Sequence, residues 1–289
     1  MKLELQFRIP ILGVDTQNLI NQSRSQAGQD LFVVALLQGK KEKTFLEIGG
    51  YCPLIGNNTW LLEKVFDFSG VSIDNKERPE QWPRKIAFEK FYNNIKDSSW
   101  PIVDSIELLP THIQQELIEV HNYNLYVLSY PYHIPHGKEG WEITRPKTKF
   151  ILNDALLFDY SQLPNYFDYL QIDIHPPKNN WLVLEKIIKQ KEFAVITFEH
   201  DIWDNTPESK QAKVNAYQLL AQLGYTLVAD NVTIEPEHTT STADGPIYFE
   251  DWYANPKYID KSVIDCYKCI GTGWPKYYQQ ILFQPTVKV

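Results

Sequence analysis

From Phe45 to Lys64 the chain runs FLEIGGYCPLIGNNTWLLEK, and few folds accept that order. A short apolar run closes on an acidic residue and a pair of glycines. Asn57-Asn58-Thr59 then supplies capping residues, and WLLEKVFDF continues at helical spacing. After Ser69-Gly70 comes a second short strand, VSID, that ends in Asp74. Strand, helix and strand in that order predict a parallel βαβ unit.

The remainder of the chain extends the same alternation. AGQDLFVVALLQ (27 to 38) is a leading helix stopped by Gly39. KFILNDAL, DYLQIDI and FAVITFEHD read as strands, with a helix around WLVLEKIIKQ. The amphipathic stretch ESKQAKVNAYQLLAQLGY, closed by Gly224, precedes the strands TLVAD and PIYFEDWY. Such alternation predicts a doubly wound α/β sheet with helices on both faces. Residues 76 to 148, broken by prolines and by Trp82, Trp100 and Trp141, carry one clear helix near IQQELIEVHNY and read as an insertion. The expected organisation is an N-terminal helical segment (1–44), a main domain (45–255) carrying that insertion, and a C-terminal extension (256–289).

Composition narrows the partners. With 43% hydrophobic and 22% charged residues the chain should fold, and 289 residues suit one domain with additions. The net charge of −8 and the lack of a Lys/Arg stripe argue against a nucleic-acid partner. No apolar run reaches membrane-spanning length, so a cytoplasmic protein is expected. The 3 cysteines, Cys52, Cys266 and Cys269, form no disulfide framework. One CxxC is too little for a structural zinc site.

In open sheets of this kind ligands bind beyond the carboxyl ends of the strands. Here those ends carry Glu47 with Gly49-Gly50, Asp74, Asn153-Asp154, Asp173 with His175, and Glu199-His200-Asp201. Any one polar strand end is ordinary solvation; five in succession weaken that account. The glycine pair lets a backbone approach a ligand, while the absence of GxGxxG argues against a pyrophosphate. Asp74 sits where an acidic residue accepts from ribose hydroxyls. Ribose without pyrophosphate suggests an adenosyl ligand.

These residues resemble the FkbM-like methyltransferases. FLEIGGYCPLIGNNTWLLEK followed by GVSID is similar to that family's cofactor-binding region, and SQAGQD, NDAL, YLQIDI, VITFEHD and FEDWYANP resemble further blocks in the same order, spanning most of residues 25 to 256. The resemblance implies a class I methyltransferase-like, mostly parallel seven-stranded sheet in a Rossmann-like domain, with S-adenosylmethionine as cofactor. Glu47, Gly49, Gly50 and Tyr51 would line its methionine part with Asn58 and Thr59 behind, Asp74 would hold the ribose, Asp154 and Ala155 would flank the adenine, and Gln26 would close over the cofactor. It also implies O-methylation of a sugar or glycosylated small molecule.

One departure concerns the chemistry. Where the family often carries a carboxylate after the Asp-Ile pair, this chain has Asp173-Ile174-His175-Pro176-Pro177. His suits proton removal near neutral pH, so His175 or His200 is expected as base, with Asp173 orienting the base or acceptor. Asp173, Glu199, His200 and Asp201 also form a mixed set that suits Mg, Mn or Zn, but spacing alone does not bring them together, so a divalent metal is not predicted. Trp203 and Trp252, just past strand ends, are candidate stacking faces for a sugar ring.

Overall fold

A computed structural model describes residues 5–7, 19, 22–50, 53, 56–75, 99, 101, 109–113, 141–142, 144–234, 247–268 and 285–287. The chain divides into two compact units, Met1–Lys76 with Arg145–Val289, and Glu77–Thr144. The expected helix near IQQELIEVHNY falls, apart from Ile113, outside the described residues, as do Trp82, Trp100, Cys52 and Cys269. Cys266 is a free, exposed thiol.

In chain order the first unit contains β1 (Leu5–Phe7), α1 (Gln29–Leu36), β2 (Thr44–Ile48), α2 (Trp60–Phe66), β3 (Ser69–Asp74), β4 (Thr148–Leu152), β5 (Tyr166–Ile172) and α3 (Pro177–Ile188). These are followed by β6 (Glu192–Glu199), α4 (Pro207–Gln222), β7 (Thr226–Ile234), β8 (Ile247–Ala254), α5 (Lys261–Tyr267) and β9 (Pro285–Val287). The short strands β1 and β9 pair antiparallel. The other seven form one sheet in the order β4-β3-β2-β5-β6-β8-β7, parallel except for β8, which runs antiparallel to both neighbours. This is the seven-stranded, mostly parallel sheet expected from the sequence.

Each face is covered by helices because the strands alternate two apolar sets. Phe45, Tyr169, Val195 and Trp252 pack with Leu31, Phe32, Leu62, Phe66 and Ile264 of α1, α2 and α5. Leu46, Ile48, Leu170, Ile172 and Phe198 pack with Val183, Leu184, Ala216 and Leu220 of α3 and α4. Every residue of α1 is buried, which explains its near-uniform apolar composition. Asp30 anchors its entry, accepting from the hydroxyls of Ser23 and Ser25 and from the amides of Arg24 and Leu31.

No described helix is long and apolar enough to cross a membrane. The chain turns from one direction of winding to the other at β2, which has β3 on one side and β5 on the other. A ligand crevice in a doubly wound sheet opens at such a point.

Candidate functional site

At that switch the backbone is closely fitted. Gly49 has φ +82°, and a Cβ there would lie 1.7 Å from the Asp173 carbonyl oxygen. Its amide donates to the Ile73 carbonyl at 2.9 Å, and the Asp173 amide donates to the Ile48 carbonyl at 3.0 Å. Only glycine meets both the left-handed backbone and the close approach of β5. A Cβ on Gly50 would lie 2.2 Å from Ser72 Oγ and 2.6 Å from Glu47 Oε2. Gly49→Ala is therefore expected to cost at least about 2 kcal/mol, lowering Tm by roughly 4–8 °C. Thermal unfolding measures this, and an unchanged Tm contradicts the close packing of β2 against β5.

Strand register turns the scattered acidic residues into rows. Ser72, Glu47, Gln171, Thr197 and Trp252 stand opposite one another across β3, β2, β5, β6 and β8. Two residues further along the parallel strands stand Asp74 and Glu199, with Gly49 and Asp173 just past the ends of β2 and β5, and Glu250 of the antiparallel β8 lies opposite Glu199. The second row is crowded with carboxyls. Burial pushes Asp173 up to about 6, despite a hydrogen bond with Glu199 that favours its ionised form. Burial and the Asp173 charge push Glu199 well above the usual range, so the pair shares a proton. Burial raises Glu250 to about 8, although the Trp252 indole N–H donates to it at 2.6 Å. Among the described residues no group of three His, Cys, Asp or Glu side chains is placed to hold a metal ion.

The first row contains Glu47, which is buried and held above its ordinary value by burial, against the opposing charge of Arg145. Its Oε1 accepts from Asn57 Nδ2 at 3.2 Å and Thr59 Oγ1 at 3.0 Å. Ser72 stands near enough to favour the carboxylate, yet neither Glu47 Oε2 nor Ser72 Oγ completes a hydrogen bond of ordinary geometry. Gln171 Oε1 and Asn58 Oδ1 are likewise buried without a partner among the described residues. Buried polar groups are rarely left so, and here they gather along one stretch of strand ends and loop.

The loop itself is held by a residue that the sequence reading missed. Arg145 is fully buried. It donates to Glu63 Oε2 (2.8 Å), Asn57 Oδ1 (2.8 Å), the Thr59 carbonyl (3.1 Å) and hydroxyl (2.9 Å), Thr148 Oγ1 (3.2 Å) and the Pro53 carbonyl (3.3 Å). Asn57, rather than Asn58, is the asparagine that touches Glu47. Thr59 spends its hydroxyl on Glu47 and makes no side-chain cap on α2, contrary to the capping expected from the sequence. The one signal for this network was Glu63, a carboxylate set among Leu61, Leu62 and Phe66 in a short apolar helix.

The other expected site residues distribute as follows. Asp74 is buried at the end of β3, and its carbonyl accepts from the Asn153 amide at 2.9 Å, which brings the start of the Asp154 turn beside it. Asp154 stabilises that turn by accepting from the Leu156 amide, and the buried Ala155 presents its carbonyl to Tyr160. Gln26 is exposed and its Cγ lies 3.9 Å from where a Cβ on Gly56 would stand, so it rests against the loop. Tyr51 lies outside the described residues.

The two histidines part company. His200 is fully buried. Its Nδ1 accepts from the Ile202 amide at 3.3 Å and its Nε2 faces Asp251 Oδ1 at 3.2 Å. Burial holds it below its ordinary value, so it is neutral at neutral pH with both nitrogens engaged. That arrangement leaves no lone pair for an acceptor proton, and a base role for His200 does not fit. His175 is 74% exposed, with Nδ1 3.9 Å from Asp201 Oδ2 and Nε2 without a partner among the described residues. Trp252 is fully buried against Phe32, ring centroids 4.5 Å apart, and offers no stacking face; Trp203 is 44% exposed.

No family model and no curated protein sequence matches the chain. It is similar to three solved structures among others. Fibrillarin from Aeropyrum pernix with bound S-adenosyl-L-methionine is 13% identical, over 81% of this chain and 76% of that one, at a TM-score of 0.41. An O-methyltransferase from Bacillus cereus in complex with SAH is 15% identical, over 85% and 94%, at 0.40. An rRNA methylase from Streptococcus thermophilus is 12% identical, over 78% and 93%, at 0.38. Similarity at this level assigns no activity.

Proposed function

We propose that the chain is an S-adenosylmethionine-dependent methyltransferase acting on a hydroxyl group of a sugar or glycosylated small molecule. The observation that carries the reading is the row Asp74, Gly49, Asp173 and Glu199 at the carboxyl ends of four parallel strands, joined by Glu250 of the antiparallel β8 opposite Glu199. It joins a glycine that lets the backbones of β2 and β5 close together at the switch point to carboxyls suited to a cation. S-adenosylmethionine carries two permanent or near-permanent cations, a sulfonium and an ammonium, and no phosphate. A carboxyl row with no pyrophosphate glycines matches that charge pattern.

Unpartnered buried polar atoms support such a ligand. Glu47 Oε2 and Ser72 Oγ, beside Gly50, and Asn58 Oδ1 in the loop that follows offer unfilled hydrogen-bond capacity. Asp74 would take the ribose hydroxyls, Asp154 and Ala155 would border the adenine, and Gln26 would lie over the loop. When bound, the cofactor supplies a methyl carbon on a sulfonium that departs as a neutral thioether. The protein then has two tasks, alignment of the acceptor and removal of its proton. The free Nε2 of His175 takes that proton as the acceptor oxygen bonds to carbon, and returns it to water afterwards.

Two measurements test the reading. Asp74→Ala is expected to weaken S-adenosylmethionine binding about 10- to 100-fold by calorimetry with Tm little changed, and an unchanged affinity contradicts the placement of the ribose. Methyl-labelled S-adenosylmethionine with a panel of sugars, glycosylated small molecules, amines and RNA reads the acceptor. Label on a sugar hydroxyl supports the reading; label on nitrogen or RNA alone overturns its acceptor part.

A further inference from the structure

Asp201 closes β6 in a left-handed conformation, φ 52° and ψ 39°, and begins a turn of 3-10 helix that carries Trp203. Its two carboxylate oxygens serve different neighbours. Oδ1 accepts from the Trp203 indole N–H at 2.8 Å, and Oδ2 faces Nδ1 of His175 at 3.9 Å. The carboxylate is 6% exposed, whereas the His175 side chain is 74% exposed and Trp203 44%. A buried anchor thus holds two side chains that both reach solvent.

We propose that Asp201 is a positioning residue that fixes His175 and Trp203 as one acceptor-side unit, in which a sugar ring seats on the exposed face of Trp203 with its hydroxyl directed to Nε2 of His175. This deepens the proposed methyl transfer and rests on it.

A base that takes a proton at Nε2 must carry its own proton at Nδ1, and a carboxylate beside Nδ1 selects that tautomer. The 3.9 Å separation is an ion-pair distance longer than a hydrogen bond. Catalytic hydrogen bonds in ligand-free enzymes are commonly long and shorten once the acceptor is bound. Asp173, on the neighbouring strand, and Asp204, on the same turn as Trp203, also feel the His175 charge, so the ring is faced by carboxyls from both elements. Asp204 is committed elsewhere, accepting from the Thr206 amide at 2.8 Å and from the Ser209 hydroxyl. Asp201 is the carboxylate whose second oxygen is left for the imidazole. The indole bond sets the plane of Trp203, and flat aromatic faces are the surfaces on which the apolar side of a sugar ring packs.

The test uses the full chain with Asp201→Asn, Trp203→Phe and Trp203→Ala. Nitrogen-15 NMR of the His175 imidazole is expected to show the Nδ1–H form in the parent and a shift toward Nε2–H in Asp201→Asn. With the sugar acceptor that accepts label, Asp201→Asn should lower kcat about 10- to 100-fold at unchanged S-adenosylmethionine affinity. Trp203→Ala should raise the acceptor KM about tenfold, with Trp203→Phe closer to the parent. An unchanged tautomer in Asp201→Asn overturns the positioning role, whether or not methyl transfer is seen. An acceptor KM untouched by Trp203→Ala overturns the stacking. A tautomer shift on Asp201→Asn, with a parent that binds no S-adenosylmethionine, supports the Asp201–His175 pairing while removing the methyl-transfer reading.

Discussion

Arg145→Met is expected to destabilise the protein by about 3–5 kcal/mol, read as a fall in the urea midpoint at unchanged slope. The guanidinium is wholly buried and donates to Glu63, Asn57, Thr59, Thr148 and the Pro53 carbonyl. Removing it leaves the buried Glu63 carboxylate with the Thr148 hydroxyl, the Lys147 amide and, at 3.7 Å, the half-exposed Lys64 ammonium. It also frees Asn57, so Glu47 loses part of the support that fixes its position. The double variant Arg145→Met with Glu63→Gln should recover a substantial part of the loss, because the uncompensated charge is gone. A loss below about 1 kcal/mol in the single variant, or no recovery in the double one, contradicts the network.

The second large effect is on pH. Carboxyls held above their ordinary values keep their protons in the folded protein after the unfolded chain has lost them. Their contribution to stability is then present at low pH and falls as pH rises from the unfolded value through the folded one. Glu250 does this between its ordinary 4.5 and about 8, Asp173 between 3.8 and about 6, and Glu199, Glu47 and Asp30 act in the same direction. Two groups oppose them. Burial would raise Asp251, but the hydrogen bond from His200 and the Lys213 ammonium at 2.5 Å bring it down to about 2, so its contribution is lost below about pH 4. His200, held low by burial, costs stability as pH falls below its ordinary 6.5. Because the raised carboxyls outnumber these, stability in the absence of ligand should peak near pH 5 and fall toward pH 8. Glu250→Gln should remove of order 4 kcal/mol of that fall, from the 1.36 kcal/mol attached to each pH unit. Urea unfolding from pH 4 to 8 measures this, and stability rising to a maximum at pH 8 contradicts the buried row.

Much of the fold was legible because its period is strong. Strands that alternate apolar sets, and helices ended by Gly39 or Gly224, announce themselves within a window of a few residues. The sheet order was not legible from local pattern, since pairing β8 between β6 and β7 depends on contacts distant in sequence. At the site, the glycine pair and the polar strand ends could be read because both are local. The identity of the asparagine that serves Glu47, the burial of His200 and Trp252, and the role of Arg145 could not. Each depends on which face a side chain takes after packing, and an Arg ahead of Pro146 reads in one dimension like any surface cation.

The central claim is that this carboxyl row receives an S-adenosyl cation. Calorimetric titration of S-adenosylmethionine into the full chain at pH 7, in two buffers of different ionisation enthalpy, tests it most directly. The prediction is one site per chain with net proton release, because the cation favours ionisation of the shared Asp173–Glu199 proton and of Glu250. Absence of binding, or binding without proton release, contradicts it.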